Sequence, residues 1–357
     1  MTIEQIDQAK AEAFAGKMIN VINGACLSLM TSIGHRTGLF DKMAVLPPAT
    51  TAQIADATGL NERYVREWLA AMATGGIVEY DPVSRTYKLP PEHAASLTRA
   101  AGPGNLATLT QWLALFGNVE DGIAEAFQKG GGVPYSQFRT FQELMAEESA
   151  QVFDATLIDV TVPLIPGIVD RLRDGIDVLD VGCGKGHAIN LMARAFPNST
   201  FSGYDFSEEG VAAGRAEAAA MGLANTRFVA KDVATIDEAA AYDLITAFDA
   251  IHDQAQPTKV LRAISQALRP GGVFRMVDIA ASSNVEDNLE HPLAPMLYTA
   301  STMHCMTVSL ALNGEGLGTM WGDQLARQKL AHAGFTNVDL KRVPGDIMNA
   351  YYIATRD

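Results

Sequence analysis

Two groups of residues have types and spacings that could do chemistry. Asp180 lies in the apolar run Val178-Leu179-Asp180-Val181, and glycines follow at alternate positions, Gly182, Gly184 and Gly186, with Cys183 and Lys185 between them. Glycine lets backbone approach a ligand that a Cβ would hold away. A helix pattern follows at Ala188-Ile189-Asn190-Leu191-Met192-Ala193-Arg194, and its N-terminal N–H groups are free to meet anionic or polar ligand groups. Asp205 then closes the next apolar run, Thr200-Phe201-Ser202-Gly203-Tyr204, about 20 residues past the glycines, the spacing of a carboxylate on a ribose diol. A strand, a glycine turn, a helix and a second acid together make a nucleotide-binding element. A dinucleotide fingerprint would need a glycine where His187 stands, so the ligand is of another kind.

These residues need a parallel sheet to hold them. From Gly175 onward strands and helices alternate, the pattern of an α/β domain. Strands are expected at Val178–Val181, Thr200–Tyr204, Thr226–Ala230, Tyr242–Phe248 and Val273–Asp278, with helices at 187–195, 208–221 and 257–268. Arg269-Pro270-Gly271-Gly272 reads as a tight turn into the fifth strand. Residues 281–321 interrupt the alternation with an apolar, Met-rich segment. A helix at Asp323–His332 follows, and then two runs, Val338–Val343 and Ala350–Ile353, that read as an antiparallel hairpin at the sheet edge.

Upstream, Ile3–Phe14 and Lys17–Ile33 read as helices, the second so apolar that burial, against another subunit, is expected. Thr50 to Leu89 reads as helix, turn, helix and a two-stranded wing, with Thr50 or Thr51 and Asn61 as caps. The second helix balances Arg63 and Arg66 with Glu62 and Glu67, so packing and dimerisation fit it better than reading a DNA groove. Ala101–Phe127 reads as helix broken at Gly117-Asn118, and Phe141–Met145 and Glu148–Arg173 as helices bent at Pro163 and Pro166. Trp112 and Phe116 are either core or the roof of a substrate pocket, since both share one composition.

Whole-chain properties exclude several classes. The 357 residues allow two to three domains. A net charge of −14 argues against non-specific binding to nucleic acid or anionic membrane. Three scattered cysteines make neither a disulfide framework nor a metal cluster, and read as buried reduced thiols of a cytoplasmic protein. The N-terminus lacks the features of a signal peptide, and no uncharged apolar run of about 18 residues suggests a membrane span.

The stretch Asp180-x-Gly182-x-Gly184-x-Gly186, with Asp205 and the Leu268-Arg269-Pro270-Gly271-Gly272 turn, resembles the class I S-adenosylmethionine-dependent methyltransferases over about residues 165–357. With the winged-helix region, the whole chain resembles the dimeric small-molecule O-methyltransferases. That resemblance implies a Rossmann-like sheet with an antiparallel C-terminal hairpin, and S-adenosyl-L-methionine as cofactor. Gly182, Cys183, Gly184 and Gly186 would meet its methionine end, Asp205 its ribose, Phe206 its adenine face, and Asp232, beside Val233, its adenine amino group. Phe248 and Asp249 end the fourth strand beneath it. His252, in a His-Asp pair with Asp253, stands at the family's catalytic base, where a histidine near pKa 6.5 suits proton abstraction. The family's aromatic residue after that pair is replaced here by Gln254.

The domains implied are 1–100, a winged-helix dimerisation domain; 101–165, a helical linker roofing the site; and 166–357, the methyltransferase domain with its 281–321 insertion. Tyr298, His304 and Met306 of that insertion, with Trp112 and Phe116, are candidate walls of the acceptor pocket. The expected activity is methyl transfer to a small aromatic or lipophilic acceptor, at oxygen. The chain would act as a homodimer through its N-terminal helices, with no metal and no nucleic-acid or membrane partner. The alternatives are an N- or C-methyltransferase and a ligand-sensing winged-helix transcriptional regulator.

Overall fold

Asp7 caps one long helix, α1 (Gln8–Arg36), in the computed structural model, which describes residues 6–356. The sequence suggests two helices here, but Gly16 has open space around it and does not break the run. Ile3–Gln5, the start of the first expected helix, lie outside the described residues. The expected burial is not met within the chain: Phe14, Ile19 and Ile22 are each more than half exposed. By length and composition α1 is also long and apolar enough to cross a membrane, a property not expected from the sequence.

The chain divides into two compact units between Leu115 and Phe116. In the first, α2 (Leu39–Met43), α3 (Thr51–Thr58), α4 (Glu62–Thr74) and α5 (Pro91–Leu97) surround a core that includes Phe40, Ile54, Trp68, Leu69 and Met72. Thr50 and Gln53 form a capping box at the start of α3, and Asn61 caps α4. The wing is short: β1 (Glu79–Asp81) pairs with β2 (Thr86–Lys88). On α4, Arg66 pairs with Glu62 and Arg63 with Glu67, one helical turn apart.

α6 (Gln111–Gly117) crosses into the second unit, which continues with α7 (Glu120–Lys129), α8 (Phe141–Thr156) and α9 (Ile168–Asp174). Between Leu97 and α6 the sequence suggests helix, but the chain makes a short 3₁₀ turn, Arg99–Gly104, with Gly102 off helical geometry. The sheet strands are β3 (Asp177–Val181), β4 (Thr200–Asp205), β5 (Thr226–Ala230), β6 (Tyr242–Phe248), β7 (Leu268–Ile279), β8 (Asn337–Lys341) and β9 (Asn349–Thr355). α10 (His187–Ala195), α11 (Glu208–Ala220) and α12 (Pro257–Ala267) connect the parallel strands. α13 (Ala294–Ala300), α14 (Met306–Ala311) and α15 (Gly322–His332) precede the last two strands.

The sheet order is β5-β4-β3-β6-β7-β9-β8, parallel through β7 and antiparallel for β9 and β8. Order reverses between β4 and β6 around β3, the kind of point where open α/β sheets bind ligands at their carboxyl edge. One core lies on each face. The first joins Leu179, Ile245, Phe274 and Tyr352 to α12 and α15; the second joins Val178, Leu244 and Phe201 to α9 and α10. β7 corrects the expected turn: it starts at Leu268, and Pro270-Gly271-Gly272 lies inside it where the register with β6 shifts. Gly271, at φ 73°, permits the irregularity, and its N–H still reaches the carbonyl of Arg356.

Candidate active site

Three φ-positive glycines shape the turn after β3: Gly182 at 73°, Gly184 at 52° and Gly186 at 74°. A Cβ on Gly182 would lie 2.5 Å from that of Ala250, and one on Gly186 2.3 Å from the Phe228 ring. Both positions therefore need glycine for space as well as for backbone angle. Gly182 N and Cys183 N donate to the carbonyl of Tyr204, tying the turn to β4. Asp205 ends that strand. Its Oδ2 accepts from Gly184 N at 2.8 Å and its Oδ1 from Ser207 N at 2.8 Å. Each oxygen keeps a lone pair for a diol. Burial raises the Asp205 pKa despite these two bonds.

The turn borders an open cavity in the second unit. Gly182, Cys183, Gly184, Gly186, Asp205, Phe206, Asp232, Val233 and Phe248 all line it. Asp232 also caps a 3₁₀ turn by accepting from Ala234 N at 2.9 Å. Phe206 is more than half exposed and lies 5.3 Å from the Tyr135 ring. This set fits an adenosyl amino acid: a backbone cradle that a Cβ would fill, a carboxylate oriented for a diol, and an aromatic face beside it.

The sequence reading did not include much of the rest of the wall. Phe141, Gln142, Met145, Ala146, Ser149 and Phe153, all on α8, line the cavity at helical spacing. That spacing was visible, but only the fold decides which helix face meets the sheet edge. Asp180 lines it too. Burial raises its pKa to about 7, although Thr246 donates to it at 2.6 Å and Arg275 lies near. Arg275 follows Thr246 across the sheet; it is fully buried, its three guanidinium nitrogens make no hydrogen bond, and its Cζ sits 4.8 Å over the Phe248 ring.

Asp249, Ala250, Asp253 and Gln254, after β6, line the same cavity, with Ala250 against Gly182. Asp249 has φ 49° and a buried Oδ1 without a hydrogen bond. His252 is buried and is not part of the cavity wall. Its Nδ1 lies 2.8 Å from Asp278 Oδ1 and its Nε2 3.3 Å from Asp253 Oδ1. Asp278 Oδ1 also accepts from Trp321 Nε1 at 2.9 Å. Burial alone would lower the imidazole, but Asp278 and Asp253 outweigh it and hold His252 well above its ordinary pKa. The imidazole, expected from the sequence to titrate near 6.5, thus lies between two carboxylates that favour its charged form. Asp253 is the member of the pair that faces the cavity, where its Oδ2 accepts from Tyr135 OH at 2.9 Å.

None of the five expected acceptor-wall residues lines the cavity. His304 comes nearest. Buried, it stacks on Phe141 with ring centroids 4.0 Å apart, and its Nδ1 is 3.8 Å from Asp253. Burial lowers its pKa to about 4, so it is neutral. Tyr298 packs beside Ile279, Leu297 and Met320 and accepts from Asn288 through its hydroxyl. Met306 begins α14 beside Gly318. Phe116 is buried, and Trp112 is a buried residue of the first unit. Apolar pocket walls and cores share a composition, so the sequence did not separate them. Cys26 is exposed and Cys183 partly so, and only Cys305 is the buried thiol that was expected. Cys305 also joins His252 and Asp253 in a trio whose potential ligand atoms lie within 4.8 Å of one another, a grouping that sequence spacing did not reveal.

Comparison with known proteins follows the same division. Residues 25–99 match the Rv2258c-like winged HTH domain, and residues 172–334 a family described as methyltransferase domain. Nocamycin O-methyltransferase of Saccharothrix syringae is 32% identical over 36% of this chain and 48% of its own length. Ubiquinone biosynthesis O-methyltransferase of Leptothrix cholodnii is 29% identical over 28% of this chain and 42% of its own length. The matched part thus spans about half the length of these curated relatives or less. Two solved structures share the fold across nearly the whole chain. Mitomycin 7-O-methyltransferase has a TM-score of 0.72, 17% identity, and coverage of 97% of this chain and 99% of its own. Human N-acetylserotonin methyltransferase in complex with S-adenosylmethionine has a TM-score of 0.68, 16% identity, and coverage of 100% and 99%. The chain thus joins a region that matches a winged helix-turn-helix domain to one that matches a methyltransferase domain, and its fold is similar to that of solved S-adenosylmethionine-dependent methyltransferases.

Proposed function

We propose that this chain transfers a methyl group from S-adenosylmethionine to an oxygen of a small, largely apolar acceptor. The observation that carries it is that one cavity is lined both by the glycine turn with Asp205 and by Asp253, which His252 and Asp278 back. The cofactor supplies an activated methyl, whose bonding pair stays on sulfur when it leaves. The protein's task is then mainly proximity and alignment. Asp205 receives the ribose hydroxyls, and the bare backbone of Gly182 to Gly186 admits the amino-acid end. Asp253 takes the proton of the acceptor hydroxyl, and charged His252, fixed by Asp278, holds Asp253 in place. His252 and Asp253 thus act as a unit, with His252 one step removed from the acceptor.

The test has two parts. Calorimetry with S-adenosylhomocysteine should give a clear heat, and Asp205→Asn should weaken binding by roughly tenfold to a hundredfold, the worth of one or two hydrogen bonds to a charged group. No heat, or no effect of that substitution, would remove the cofactor assignment. With a working acceptor, Asp253→Asn and His252→Ala should each lower kcat by roughly 10²–10⁴, the usual size of acid–base assistance, at unchanged cofactor affinity. Wild-type turnover in both would leave alignment alone to do the chemistry.

A further inference from the structure

We propose that the acceptor carries a protonated amine close to the hydroxyl that is methylated, and that Asp249 is the seat of that amine. This rests on the methyl-transfer reading and adds the chemical class of the acceptor. Asp249 lines the cavity, and its Oδ1 is buried and accepts no hydrogen bond. Buried acceptors are nearly always satisfied, so such an oxygen points to a donor that arrives with a ligand. Its backbone is held at φ 49°, a conformation rare outside glycine that concentrates at functional sites.

The surrounding charge is one-sided. Asp278, Glu148 and Asp253 all act on Asp249 against His252 alone, and burial together with these neighbours raises its pKa to about 7. His252 is already engaged by Asp278 and Asp253. His304 is neutral, and Arg275 lies beneath Phe248, outside the cavity wall. The basic residues in the wall, Lys185 and His187, belong to the glycine turn and the start of α10, and His187 lies between Asp154 and Glu217. An anionic group beside Asp249 would add to the like charge of Asp278, Glu148 and Asp253. An ammonium would supply the donor that Asp249 lacks and draw its carboxyl toward the ionised form. The aromatic walls agree: Tyr135, Phe141 and Phe248 line the same cavity, and ring faces attract cations.

Salicylamine, salicyl alcohol and salicylate share a phenol and differ in the charge of one neighbouring group. They are titrated in turn into the full chain saturated with S-adenosylhomocysteine. Salicylamine should bind tighter than salicyl alcohol by roughly tenfold or more, the worth of a charge-assisted hydrogen bond, with salicylate weakest. In Asp249→Asn the first two should come within about twofold of each other. An equal or reversed order in the wild-type chain, or no binding of salicylamine, overturns the proposal without need of the variant. A preference that survives in Asp249→Asn overturns the role of Asp249. The preceding titration keeps the two readings apart: no heat with S-adenosylhomocysteine sinks methyl transfer, whereas cofactor heat without a charge order sinks only the amine.

Discussion

Asp180 sits beneath the glycine turn with its pKa raised from 3.8 to about 7, chiefly by burial. Between those two values the folded chain holds a proton that the unfolded chain has lost. The stabilisation this gives is complete below about pH 4 and disappears as pH rises through about 7, on the order of 4 kcal/mol in all. Melting of the ligand-free protein should therefore fall in temperature between about pH 5 and about pH 8, and Asp180→Asn should flatten that slope. A slope unchanged in the variant would assign it to other groups. At the same scale, the trio of His252, Asp253 and Cys305 has ligand-like spacing, yet the proposed chemistry needs no metal. Prolonged dialysis against a chelator should leave methyl transfer intact; a loss restored by zinc would give the trio a metal. That the glycines of the turn and Asp205 would line one cavity was legible at the residue scale because their types and spacing carry the signal. The charge state of His252 was not, because it depends on Asp278, a neighbour 26 positions along the chain.

Among the elements, the segment from Gly130 to Gln137 does unusual work. Val133 N donates to Thr307 Oγ1 at 2.8 Å, which docks the loop on α14 and carries Tyr135 to Asp253. A Cβ on Gly132 would lie 2.0 Å from the carbonyl oxygen of Thr307, whereas one on Gly131, at φ 78°, meets nothing within 4 Å. Gly132→Ala should thus cost about 1–3 kcal/mol by overpacking. Gly131→Ala should cost about 1 kcal/mol or a little more, from backbone strain alone. Urea unfolding of the pair gives the order, and equal losses would deny the docking. The parallel strands and their helices were legible from alternating patterns, since each buried strand is an apolar run between turn signals. The start of β7 was not. Pro270-Gly271-Gly272 signals a turn locally, yet pairing with β6 and with the end of β9 draws it into the strand.

For the whole molecule, α1 is the open question. Its apolar side chains, Phe14, Ile19, Val21 and Ile22 among them, remain exposed in the single chain. An exposed apolar surface of this kind marks an interface. We propose that a second copy covers it. Sedimentation should give a dimer, and Ile19→Glu with Ile22→Glu should give a monomer that still binds S-adenosylhomocysteine. A wild-type monomer that floats with lipid vesicles would assign α1 to a membrane instead. On α4 the arginines are paired with glutamates of the same helix, which leaves little free positive charge for a DNA groove.

The sequence by itself determined the order of elements, the glycine turn and its partnering acid, because these depend on neighbours a few residues away. It also marked the N-terminal helix as apolar. Only the tertiary structure decided that α8 rather than Trp112, Tyr298 or Met306 walls the cavity, that Asp253 rather than His252 faces it, and that Asp249 is left without a donor. The physical reason is one of range. Backbone preference and periodicity act within a turn or two, whereas pocket shape and charge state arise from groups that only packing brings together.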